Sequence, residues 1–202
     1  MKAVIASIKP RHTASIKSGK KELEIRKTVP KIPTPFKVFV YETKDSGKGT
    51  GAVVCEFVCD FFFSINTEWM IHDELPGMPM ETWLEWNDAP DEYESKADIE
   101  KASCLTWKEI ESYMGASPQI FCWHISEMKV YEQPKPLSWF VTEGDCDCMN
   151  CKNCGWFDKG NGYNVEDDCN LGYENINREK PLKPVFRAPQ SWCYVELMEE
   201  HR

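Results

Sequence analysis

The run Phe36–Glu42, FKVFVYE, constrains the fold of this chain more than any other feature. Val, Phe and Tyr fill its positions, and such residues suit a pleated, half-buried surface. The Gly-rich stretch Asp45–Gly51 follows, and then a second aromatic and β-branched run, Ala52–Phe63. Two strand-type runs joined by a turn of that composition read as a hairpin. The chain is therefore committed to a mostly-β core.

Other segments extend this reading. Ala3–Lys9 is expected to be a first strand, and Thr13–Ser18 one or two helical turns. Gly19 is placed to end those turns, because glycine enters the left-handed region without a Cβ penalty. Glu22–Arg26 alternates as a strand does, with Leu23 and Ile25 on one face and Glu22, Glu24 and Arg26 on the other. Three prolines make Val29–Pro35 a connection. Ile120–Tyr131 and Ser191–Met198 read as later strands. Before the first of these, Thr106 and Glu109 have capping-box spacing, Leu105 and Ile110 form the matching staple, and Gly115 supplies the stop. About six strands with few helices suggest a small closed or half-closed barrel plugged by helices, since closure removes exposed edges. From Asn66 to Glu100 eleven acidic residues are punctuated by Trp and Met, and we expect an acidic, partly helical insertion spanning 64–104.

With 202 residues the chain fits a single domain with elaborations. No segment reads as a membrane span: the most apolar run, Gly51–Phe63, is broken by Glu56 and Asp60 and falls short of the roughly 20 residues required. The start, MKAVIASIKPRH, runs into Lys9, Pro10 and Arg11 too early for a secretion signal. A cytoplasmic protein with reduced cysteines is expected.

Charge is distributed unevenly. The net is −9, yet residues 1–48 carry twelve Lys/Arg against four Asp/Glu, and the remainder twelve against twenty-nine. A basic end in an acidic chain can focus an anionic ligand while its surroundings repel loose association. The densest part is Gly19–Arg26, where Lys20, Lys21, Glu22, Glu24 and Arg26 gather behind one glycine. A bland alternative is a solvated strand face, worth little to stability. Strict alternation puts Lys21 on the face opposite Glu24, so the two converge only if Lys21 belongs to the turn after Gly19.

The run SIKPRHTASIKSGKKELEIRK resembles the signature of the ASCH family, relatives of the PUA barrel. There a strand ending in I-K-P is followed by a short helix and then by G-x-K-x-x-E-x-R, matched here by Gly19, Lys21, Glu24 and Arg26. LTWKEIESYMG, FCWHISEMKVYEQPKPLSWF and APQSWCYVEL are similar to later elements of ASCH proteins common in phages and low-GC bacteria, so the resemblance covers roughly two thirds of the chain. It implies an α+β fold, a small PUA-like β-barrel with short helices at its ends, and a cleft lined by the motif that binds RNA or nucleotides. Lys9, Arg11, Gly19, Lys21, Glu24 and Arg26 are the ligand-binding residues it points to. One branch is similar to amidohydrolases that remove an acetyl group from modified cytidine, using a lysine and a threonine of the motif and a later glutamate. Lys21 matches the lysine, whereas Glu24 stands where that branch has threonine. If this chain is an enzyme, Lys21 and Glu24 are its catalytic candidates.

The chemistry of these residues allows several roles. A lysine in a partly closed cleft can lose proton affinity and act as a base, or stay charged and hold a phosphate. Glu24 can accept a hydrogen bond from a base's exocyclic amine or activate water. Arg26 can grip a phosphate with two donors or orient Glu24. Lys9 and Arg11 flank Pro10 at the expected rim, with His12 beside them. Trp123 and His124 lie in a strand, where core packing competes with function, and Trp192 can stack on a base or pack inside.

Residues 143–175 form a Cys- and Gly-rich segment with little apolar content. Cys151-x-x-Cys154-Gly has knuckle spacing, Cys169 offers a third thiolate, and Cys148 or Cys146 a fourth. The set Cys148, Cys151, Cys154 and Cys169 suits a structural tetrahedral zinc. Free thiols and an iron–sulfur cluster remain open from spacing alone. Cys55, Cys59, Cys104, Cys122 and Cys193 read as small core residues. The expected partner is RNA, a nucleotide or a nucleoside in the cleft, with the acidic insertion as a surface for a protein partner.

Overall fold

The computed structural model describes residues 3–69, 82–93, 95–143 and 182–197. Among them are eleven strands in two sheets and three α-helices. The strands are β1 (Ala3–Ile8), β2 (Leu23–Arg26), β3 (Phe36–Glu42), β4 (Ala52–Cys59), β5 (Phe62–Trp69), β6 (Thr82–Asn87), β7 (Gln119–His124), β8 (Ser126–Lys135), β9 (Phe140–Glu143), β10 (Leu182–Pro184) and β11 (Trp192–Leu197). The helices are α1 (Pro10–Lys17), α2 (Lys96–Ser103) and α3 (Trp107–Met114). A seven-stranded sheet has the order β10-β9-β11-β1-β3-β4-β8, and a four-stranded sheet the order β2-β7-β5-β6.

Among the described residues the strands form two open sheets and no fully closed barrel. Each sheet keeps two edge strands, and the described strands outnumber the six anticipated. Three of the additional strands, β6, β9 and β10, lie where no strand is read from the sequence, and the other two arise from splitting. The sequence reads Ala52–Phe63 as one strand, and Ile120–Tyr131 as another. Each is two strands that lie in different sheets, divided at Asp60–Phe61 and at Ile125. Apolar and aromatic residues run up to both breaks and resume across them, so composition does not reveal that the backbone changes partners. The two breaks are stitched together: His124 N–H donates to the Phe61 carbonyl at 3.1 Å, and the His124 ring stacks on Phe61 at 4.4 Å.

β1 and β3 pair in parallel with Ala3 opposite Lys37 and Ile8 opposite Glu42; the other pairings are antiparallel. The parallel pair is buried on both faces, as near-continuous apolar strands require. Val4, Ala6, Ile8, Val38 and Val40 pack with Ile16 of α1 and with Phe57 and Trp123. Ala3, Ile5, Phe39 and Tyr41 face the other way, onto Phe140, Val185 and Val195. β7 divides its side chains between two cores. Trp123 enters the first, and Ile120 and Cys122 join Leu23, Ile25, Ile99, Ile110 and Met114 in a core beneath α2 and α3.

The region read as an acidic, partly helical insertion contains strand as well as helix among its described residues. Asn66–Trp69 continues β5, and β6 pairs with it antiparallel from Ser64–Asn87 to Trp69–Thr82. Among its described residues, Asp91–Tyr93 forms a short 3-10 turn and Lys96–Ser103 is α2. Residues 70–81 and the segment 144–181, with Cys146, Cys148, Cys151, Cys154 and Cys169, lie outside the described residues. Cys104 departs from expectation: it is an exposed, left-handed cap of α2 (φ 54°), while Cys55, Cys59 and Cys122 are buried and Cys193 partly so. No helix among the described residues is long and apolar enough to cross a membrane.

Candidate functional site

α1 ends as its sequence requires. Gly19 adopts φ 69°, its N–H donates to the Ile16 carbonyl at 2.9 Å, and Lys20 N–H donates to the Ser15 carbonyl at 3.0 Å, the two bonds of a Schellman cap. Lys21 N–H shares the Ser15 carbonyl at 3.2 Å, and β2 begins only at Leu23. Lys21 therefore sits in the turn and escapes strand parity. Its side chain reaches the same side as those of Glu24 and Arg26.

These three groups are buried: Lys21 is 2 % exposed, Glu24 7 % and Arg26 5 %. A solvated charged face is ruled out. Lys21 Nζ lies 3.5 Å from Glu24 Oε2 and donates to the Ser103 carbonyl at 2.6 Å. Arg26 Nη2 lies 3.0 Å from Glu24 Oε1 and donates to the Ser7 carbonyl at 3.0 Å. Arg26 Nη1 reaches the Ser191 carbonyl and hydroxyl, each at 3.3 Å. Arg26 thus ties β2 to the end of β1 and the start of β11, and orients Glu24. Burial pushes the Lys21 ammonium below its ordinary value, against the opposing pull of Glu24.

The triad forms the floor of a cleft of about 700 Å³. The mouth is framed by the start of α1, with Lys9, Arg11 and His12, and by one side of α3, with Lys108, Glu109, Ser112 and Tyr113. Arg11 Nη1 bridges to Glu109 at 3.1 Å, spanning the two helices. The cleft lining carries five cations (Lys9, Arg11, Lys21, Arg26, Lys108) against two carboxylates (Glu24, Glu109), in a chain of net charge −9. His12 is held below its ordinary value by burial and by Lys21 and Arg11, while Glu24 and Glu109 oppose them.

Of the residues singled out from sequence, Lys9, Arg11, Lys21, Glu24 and Arg26 line this cleft together. Gly19 does not; it shapes the turn that delivers Lys21. Trp123 is fully buried. His124 lies away from the cleft with Nδ1 2.6 Å from Asp60 Oδ1. Trp192 packs on the first core and donates Nε1–H to Thr28 Oγ1 at 3.0 Å. Sequence reasoning missed the contribution of α3. The available signal is the spacing of Lys108, Glu109 and Ser112, which are i, i+1 and i+4 on the side of α3 away from Ile110 and Met114. No group of three or more metal-ligating side chains occurs among the described residues.

Neither a protein-family model nor a curated protein matches the chain. Among solved structures it is similar to an ASCH protein from Zymomonas mobilis, with 12 % identity and a TM-score of 0.47 over 67 % of this chain and 73 % of that one. Two point mutants of the same protein give 12 % and 13 % identity, each with a TM-score of 0.46 and 67 % of this chain covered, and 76 % and 74 % of theirs.

Proposed function

We propose that this cleft binds a nucleotide or a short single-stranded RNA, as an ASCH-type module. The observation that carries the reading is a buried Lys21–Glu24–Arg26 triad at the bottom of a cation-rich cleft. Two buried cations against one buried carboxylate leave a positive charge that an anion offsets. A volume of about 700 Å³ lies within the usual range for small-ligand sites. Lys9 and Lys108 at the mouth suit phosphate oxygens, whereas Arg26, already engaged on both Nη atoms, positions Glu24. Each Glu24 oxygen keeps a second acceptor site beside its cation partner, available to a base's exocyclic amine. Fluorescence anisotropy with short single-stranded RNAs at low salt tests this. Binding by the wild type that weakens at least tenfold in Lys21→Met supports the cleft. Absence of binding at low salt, where phosphate contacts are strongest, contradicts it.

A second reading is favoured by the state of Lys21. Burial favours the neutral amine of Lys21, the form that can act as a general base, beside the Ser103 carbonyl and Glu24. In an amidohydrolase acting on an acylated nucleoside, the neutral Lys21 amine would take a proton from water as its oxygen bonds the acyl carbon, then return that proton to the exocyclic nitrogen as the amide C–N bond breaks, releasing carboxylate and the free amine. Mass spectrometry of acetylated cytidine and related nucleosides decides between the readings. Release of acetate by the wild type and not by a folded Lys21→Ala variant makes the chain an enzyme; an unchanged panel leaves binding.

A further inference from the structure

His12 lies in the first turn of α1 and faces the cleft, half-buried. Arg11 Nε donates to its Nε2 at 3.1 Å. A guanidinium has no acceptor, so Nε2 is the acceptor and the ring proton resides on Nδ1. This arrangement suits a neutral imidazole at His12, and the pull of burial, Lys21 and Arg11 is in the same direction.

Protonation at Nε2 would set donor against donor at Arg11. It would also add a cation to an already cationic wall. The groups facing His12 are Arg11 on α1, Lys21 in the turn, Glu24 on β2 and Glu109 on α3, with Lys9 and Lys108 lining the same cleft. The two carboxylates are each engaged: Glu24 with Lys21 and Arg26, Glu109 with Arg11 and the cap of α3. An entering phosphate changes this balance. It draws Arg11 onto its own oxygens, frees Nε2 and supplies the negative charge that an imidazolium needs.

Resting on the nucleotide-binding reading, we propose that His12 is a proton-linked phosphate contact: neutral in the free protein, it takes a proton from solvent and binds a phosphodiester oxygen as an imidazolium. The direction of the His12 shift, below its ordinary 6.5, agrees with the neutral free state. The ligand class is a phosphodiester or phosphate monoester, and the bound state holds one more proton than the free state.

An oligouridylate without a terminal phosphate is the probe, because neither its bases nor its diesters titrate between about pH 5 and 8. Its affinity for the wild type should rise as pH falls, by up to about tenfold per pH unit where the linkage is steepest. A His12→Gln variant should bind with an affinity that does not change across the window. Wild-type binding that is flat with pH overturns the inference and leaves the binding reading standing. So does a slope that survives in His12→Gln, which would assign the proton to another group such as Lys21. No binding at any pH overturns the reading itself. An NMR titration of the assigned His12 ring in the wild type is independent of whether the variant folds: its midpoint must move up when the oligonucleotide is bound, and an unmoved midpoint overturns the proposal.

Discussion

Glu24 is the residue on which the site balances, since it is the carboxylate partner of both Lys21 and Arg26. Removing one member of a buried ion pair costs about 3–5 kcal/mol, because the partner is left charged and unsolvated. Glu24→Gln strands two cations and should fall in that range by urea unfolding. Lys21→Met leaves Glu24 on Arg26 at 3.0 Å and should cost clearly less. Equal losses, or the opposite order, would contradict the arrangement. The residues of this site are largely legible in the sequence, because a glycine followed by Lys21, Glu24 and Arg26 is an unusual density of charge. Their burial is not legible. It depends on Ser7, Ser103 and Ser191, whose carbonyls arrive from distant parts of the chain.

At the level of elements, α1 is fixed at both ends by features that can be tested. A methyl group at Gly19 would meet no heavy atom within 4 Å, so Gly19→Ala adds only left-handed strain. That strain costs about 1–2 kcal/mol and should be read as a lowered urea midpoint. Glu42, at the end of β3, accepts from the Thr13 hydroxyl of α1 at 2.5 Å and from Thr50 N–H at 2.9 Å. Burial alone would raise its carboxyl, but these bonds and Lys17 outweigh burial and hold it below the ordinary 4.5. A depressed folded-state value stabilises the protein in full above 4.5, and that stability is lost as pH falls through the lower folded value. Glu42→Gln should therefore be less stable than the wild type at neutral pH, with the gap closing in acid; a gap that persists in acid would refute the assignment. α3 follows its capping signals closely, with Thr106 and Glu109 bonded reciprocally. The sheet-switching strands are hidden from the sequence, since the aromatic run Phe61–Phe63 and the apolar run Ile120–Trp123 carry no turn signal at the switch; Cys59 and Phe63 fall in different cores. The cysteine segment carries a prediction of its own: if Cys148, Cys151, Cys154 and Cys169 hold zinc, the purified protein contains about one equivalent, lost in Cys151→Ser. Metal-free protein with all thiols titratable would reject it.

Over the whole molecule, charge and shape act together. The basic first quarter read from the sequence supplies Lys9, Arg11, Lys21 and Arg26 to the cleft, and α3 adds Lys108. The acidic remainder accounts for the net −9 and would oppose polyanions elsewhere on the surface. Sequence therefore discloses the polarity of the molecule and the half of the cleft built on α1 and β2. It cannot disclose that two sheets, each left open, hold α3 opposite them. Binding should consequently be confined to the cleft and strongly dependent on salt. The most direct measurement is the slope of log affinity against log salt for a short single-stranded RNA, in the wild type and in a Lys9→Ala/Lys108→Ala variant. Loss of two phosphate contacts should make the slope shallower by about 1.4, while the variant keeps its fold. An unchanged slope, or no binding by the wild type at low salt, would contradict a phosphate-binding cleft.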